Sequence, residues 1–104
     1  MRNAALCVVL LFCTACFEKI VEVPDFVEVQ MTPGSFTPDT VRVMKGTAIR
    51  WINSDTVAHN TEGPFWATPT LAPGRSFDER MHHGGPYEYR CTLHSGERGW
   101  IIVR

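Results

Sequence analysis

From Phe26 to Arg104 the chain repeats one local pattern: short runs in which apolar and polar side chains alternate, each ended by glycine or proline. A period of two belongs to β-strands, whose successive side chains face opposite ways, and no stretch keeps the spacing of an amphipathic helix. Val27, Val29 and Met31 alternate with Glu28 and Gln30, which predicts a half-buried strand over Phe26–Met31. Pro33-Gly34 turns the chain, and Phe36 and Pro38 fall in an irregular link. Val41 and Val43 oppose Arg42 in a strand over Thr40–Met44, Lys45-Gly46 is a hairpin turn, and Ile49 and Trp51 build a strand over Thr47–Asn53. Gly63–Pro73 holds three prolines without periodicity and is predicted to be loop. Arg75–Met81 is a strand through Phe77 and Met81, His82–Pro86 a turn, Tyr87–Cys91 a strand with Tyr87, Tyr89 and Cys91 on one face, and Trp100–Val103 a closing strand. Six or seven short strands of this kind make an all-β sandwich.

The length limits that sandwich to one small domain: 104 residues, 44% hydrophobic and 20% charged, with a net charge of −1. The core candidates are Val27, Val29, Val41, Val43, Ile49, Trp51, Phe77, Tyr89, Ile101 and Val103, with Tyr87 and Met81 packing beside them. Met31 and Met44 are expected in the core or at strand ends. The charge is too balanced, and the basic residues too scattered, for nucleic acid to be a partner. Ser76 and Ser95 stand in no hydrolytic motif, and no glycine pattern forms a phosphate loop, so no enzyme of ordinary acid–base chemistry is expected.

Cys7, Cys13 and Cys16 crowd the first sixteen residues and leave Cys91 alone in the folded part. Met1–Ala15 has the form of a bacterial export signal, with Arg2 ahead of a short apolar run over Ala4–Phe12 that is too brief to span a bilayer. Thr14-Ala15-Cys16 resembles a lipoprotein processing site, which would make residues 1–15 a signal peptide and Cys16 a lipidated N-terminus. The alternative is an ordinary cleaved signal. Diacylation would hold the protein on a membrane of the cell envelope by its acyl chains. Residues 16–25 then form a tether ahead of a domain over residues 26–104. Removal of the leader takes away Arg2 alone, which leaves nine basic against eleven acidic residues and a net charge of −2.

Cys91 and His94 sit at the mouth of a strand–loop–strand unit, and His59 follows another strand in Asn53-Ser-Asp-Thr-Val-Ala-His59-Asn60. One thiolate and two imidazoles form the soft-to-borderline set that favours copper, and a weak fourth ligand completes a blue-copper centre. Cys, two His and an acidic residue would also suit tetrahedral zinc. The plain alternatives are an exposed loop histidine and a buried, inert thiol.

These residues belong to a longer pattern: Gly46-Thr47…Trp51, Asn53, His59-Asn60, Pro73-Gly74-Arg75-Ser76-Phe77, and Gly85-Pro-Tyr87-Glu-Tyr89-Arg-Cys91-Thr-Leu-His94. In this the chain resembles the small cupredoxins of the plastocyanin, amicyanin and pseudoazurin type, over nearly all of residues 26–104. The resemblance implies a Greek-key β-sandwich holding one copper ion, cycling between Cu(I) and Cu(II), on His59, Cys91 and His94. Asn53 and Asn60 would support the ligand loops. His94 would be the electron's doorway, and redox proteins would be the partners. Pro64, Phe65, Trp66 and Leu93 would form an apolar docking rim, unless they simply pack a long loop.

The chain departs from the family pattern at Glu97, which stands three residues after the histidine where the axial methionine is expected. If Glu97 binds, a hard anion replaces a weak thioether. The centre would be less oxidising, shifted from blue towards green or red, and pH-sensitive. If it points to solvent near Arg98, the axial position is empty or holds water. The substitution keeps two alternatives to electron transfer in view: an open, red-copper-like site for a small molecule, and a copper carrier. His82 and His83 are expected to be a solvated pair in a turn.

Overall fold

A computed structural model describes residues 25–104; the leader, Cys16 and the tether up to residue 24 lie outside the described residues. The chain forms seven strands: β1 (Phe26–Thr32), β2 (Ser35–Thr37), β3 (Thr40–Val43), β4 (Ala48–Asn53), β5 (Ser76–Arg80), β6 (Gly85–Arg90) and β7 (Arg98–Val103). They make two sheets, ordered β2-β1-β4-β5 and β3-β7-β6. The β1–β4 and β3–β7 pairs are parallel and the others antiparallel. Among the described residues there is no helix. This is the all-β sandwich that the alternating runs predict.

The inward faces follow the period of two. Val29, Met31, Ile49 and Trp51 come from one sheet and Val41, Val43, Tyr89, Ile101 and Val103 from the other, all of them buried. Tyr89, Trp51 and Trp66 form the centre of the core. Trp66 stacks on Trp51 with ring centroids 5.8 Å apart at 25°, and Tyr89 meets Trp51 edge-on at 5.5 Å. Burial pushes the Tyr89 phenol up to about 12, because its charged form would lose its water. Gly99 lies opposite Tyr89 in the β6–β7 register, and a Cβ there would fall 2.5 Å from the tyrosine ring, so only glycine fits.

Several expectations need correction. The stretch around Phe36 is not an irregular link: Ser35–Thr37 pairs antiparallel with β1 and puts Phe36 in the core, 4.8 Å from the Tyr89 ring. A single apolar residue between two polar ones carries too little periodicity to announce so short a strand. Val27, Phe77 and Tyr87 are only partly buried and pack against the core from its margin. Of the two places expected for Met44, the strand end holds and the core does not: it directly follows the last residue of β3 and is 67% exposed. Trp66 and Leu71, from the proline-bearing loop, are core residues. Met81 is buried, as expected of it.

Both site-bearing loops leave the same end of the sandwich. After β4 the chain runs from residue 54 to residue 75 before β5 begins, and between β6 and β7 lies a short loop carrying Cys91–Glu97. Glu62 and Arg90 exchange backbone hydrogen bonds of 2.8 and 3.1 Å, which tie the long loop to the end of β6.

Candidate metal centre

His59 is fixed first by its backbone. Its amide donates to the Leu71 carbonyl (3.2 Å) and its carbonyl accepts from the Leu71 amide (2.8 Å), so a bridge inside the long loop sets the height of the ring. Asn53, buried at the end of β4, holds the same loop from below. Its Nδ2 donates to the carbonyls of Val57 and Leu71, each at 2.8 Å, and its Oδ1 accepts the Asp55 amide at 2.9 Å. The second loop closes on itself where the Cys91 amide donates to the Glu97 carbonyl at 3.1 Å. Asn60 joins the loops: Nδ2 donates to Thr92 Oγ1 (2.7 Å) and Oδ1 accepts the Thr92 amide (2.8 Å). Each Asn side chain therefore replaces backbone pairing that an irregular loop lacks.

These constraints bring His59, Cys91, His94 and Glu97 together, with one donor atom of each within 4.8 Å of every other. His59 Nδ1 lies 3.0 Å from Glu97 Oε1 and 3.9 Å from Cys91 Sγ, while His94 Nδ1 lies 3.6 Å from Sγ and 3.5 Å from Oε1. Metal bonds of about 2.0–2.3 Å in tetrahedral array separate ligand atoms by roughly 3.3–3.6 Å. The four atoms thus surround a space for one ion, and a thiolate with two imidazoles is the set that copper prefers. Glu97 is 5% exposed and faces this space, so the solvent-facing alternative does not hold. Arg98 pairs instead with Glu88, at 3.4 Å. His94 is 37% exposed, the one partly open member of an otherwise buried group.

Sequence reasoning missed Asp55. Its Oδ2 lies 2.8 Å from His59 Nε2, on the side of the ring away from the cluster. The His59 hydrogen bond, followed by the Thr56 amide, holds the Asp55 carboxyl below the usual carboxylate range. The available signal was an aspartate four residues before the histidine, just past a strand end. Thr92, the partner of Asn60, was missed as well. His82 and His83 stay outside the cluster and exposed, as expected of a turn.

The comparisons with known proteins agree with this geometry. Residues 3–103 match the family model of the cupredoxin-like domain. The chain belongs to the cupredoxin family. Amicyanin-alpha from Methylorubrum extorquens is 28% identical over 83 residues, covering 73% of this cupredoxin and 70% of the relative. Among solved structures, a purple cupredoxin from Nitrosopumilus maritimus superposes with a TM-score of 0.70 at 22% identity, covering 74% of this chain and 98% of that one. A reduced amicyanin variant gives 0.73 at 19% identity, over 80% and 86% of the two chains. Cupredoxins bind copper, and members such as amicyanin are electron carriers rather than enzymes. This cupredoxin carries a His, Cys, His, Glu cluster at the corresponding place, as a Glu-for-Met axial variant would.

Proposed function

We propose that this cupredoxin carries single electrons in the bacterial cell envelope, on copper held by His59, Cys91 and His94 with Glu97 as fourth ligand. The observation that carries the reading is the convergence of four donor atoms from two loops onto one ion-sized space. Bound copper supplies a one-electron couple. The protein's part is to hold the donors nearly still, so that little has to move when charge changes. Backbone bridging of His59, loop closure at Cys91 and the two asparagines all serve this. His94 offers the short path to the surface, with exposed Leu93 beside it to exclude water from a docked redox protein.

Trp66 has no place in a docking rim, because it is buried at 6% exposure and donates through Nε1 to Thr61 Oγ1 (3.1 Å). Phe65, 62% exposed, packs edge-on against Tyr87. Of the four residues proposed for the rim, Trp66 drops out, while Phe65 and Leu93 remain exposed.

Lipidation at Cys16 would keep the domain near membrane-bound partners; two acyl chains suffice for stable anchoring. Labelling with a fatty-acid analogue tests this, with incorporation in the wild type and none in Cys16→Ser.

The electron-carrier role is tested by the electron self-exchange rate of the copper form, read from NMR line broadening, together with copper retention against a Cu(I) chelator. Fast exchange with retained copper is expected. Slow exchange with ready loss points to copper carriage. A second reading, small-molecule binding at an open copper position, draws on the partial exposure of His94, the one member of the cluster that solvent reaches. A change in the copper spectrum on adding azide would favour it.

A further inference from the structure

The His59 ring is held at both nitrogens. Nδ1 faces the cluster, and Nε2 meets Asp55 Oδ2 at 2.8 Å. The aspartate is itself aimed: its amide is bound by Asn53 Oδ1 at 2.9 Å and its Oδ1 accepts the Thr56 amide at 2.6 Å, which leaves Oδ2 for the imidazole. His59 is 1% and the Asp55 side chain 10% exposed, so solvent screens this pair far less than a surface pair. Nothing in the electron-carrier reading requires an anion at this position.

We infer that Asp55 is a positioning residue of the copper centre, an anionic buttress that fixes which nitrogen of His59 faces the metal and biases the centre toward Cu(II). The inference rests on the copper reading above. A carboxylate accepting the Nε2 hydrogen leaves the Nδ1 lone pair directed into the cluster and enriches the ring in electron density. Glu97 Oε1 lies 3.0 Å from the other nitrogen, so the ring sits between two carboxylates with the Cys91 sulfur beside it. Negative charge gathered around one ion is offset better by a divalent than by a monovalent metal. Asp55 and Glu97 therefore act in the same direction, one through the ring and one directly.

Asp55→Asn tests this, because it keeps the side-chain shape and removes the charge, and its single acceptor oxygen can serve either the Thr56 amide or the His59 Nε2 hydrogen but not both. Asp55→Ala removes the contact as well. Cu(II) and Cu(I) affinities by chelator competition, the reduction potential by voltammetry, and Zn(II) affinity as a redox-inert probe are measured on purified protein. Cu(II) and Zn(II) binding should weaken by about 10- to 100-fold. Cu(I) binding should weaken less, and each tenfold gap raises the potential by about 59 mV. An unchanged potential in Asp55→Asn, or equal weakening of both copper states, overturns the inference and leaves Asp55 a structural loop residue. If the wild type forms no copper–thiolate centre, the electron-carrier reading fails by itself. Zn(II) then decides for Asp55: unchanged affinity in both variants overturns the buttress.

Discussion

Glu97→Met replaces the buried carboxylate by a side chain of similar length and no charge, and should raise the reduction potential substantially. Reduction changes the metal by one unit charge. An ion bonded within this cluster stands about 3 Å from the centre of the Glu97 carboxylate, so at an effective dielectric of 20 the carboxylate favours Cu(II) by about 5 kcal/mol. At 59 mV per 1.4 kcal/mol, that is a ceiling of roughly 200 mV. Water reaching the emptied side of the site and the weak thioether offset part of it, so a rise of about 100–200 mV is expected. Voltammetry of wild type and variant gives the number, and the absorption spectrum gives a second reading, since the thiolate band should move towards blue. A shift below about 30 mV with an unchanged band would refute the reasoning, because a carboxylate bonded to the metal cannot be removed so quietly.

Trp66→Ala should destabilise the metal-free protein by about 3–5 kcal/mol in urea titration, since a buried ring stacked on Trp51 is lost, whereas Phe65→Ala, which loses only an exposed ring's edge-on contact with Tyr87, should cost about 0.5–1.5 kcal/mol. The Tyr89 phenol is raised to about 12 against an unfolded value near 10. Its contribution to stability is therefore full below pH ~10 and lost as pH rises towards 12, and tyrosinate absorbance should place its ionisation above that of a free phenol. Asn60→Ala removes both bonds to Thr92 and should speed copper loss to a chelator while leaving the strands intact by circular dichroism.

The strands were legible wherever two or three apolar residues alternate, as in Val27-Glu-Val29-Gln-Met31 and Tyr87-Glu-Tyr89, because the pleat imposes that spacing directly. Ser35–Thr37 was not, since three residues carry no period and its strand character comes from pairing with β1. Trp66 and Leu71 were hidden for a related reason: they reach the core from a loop, and loop geometry depends on hydrogen bonds made by Asn53, Thr61 and Thr68 rather than on local periodicity. At the site, Cys91 and His94 are close in sequence and His59-Asn60 follows a strand, so the cluster could be anticipated. Whether Glu97 faces inward could not, because one residue in a tight loop can turn either way. Asp55 escaped notice because its role depends on which side of the His59 ring the loop presents, a tertiary matter.

The most direct test of the account is the optical and EPR spectrum of the purified protein with one equivalent of Cu(II). An intense thiolate-to-copper band that disappears on reduction, returns on reoxidation and is missing in Cys91→Ala is the predicted result. A pale spectrum without that band, identical in wild type and Cys91→Ala, would contradict a cysteine-ligated redox copper centre.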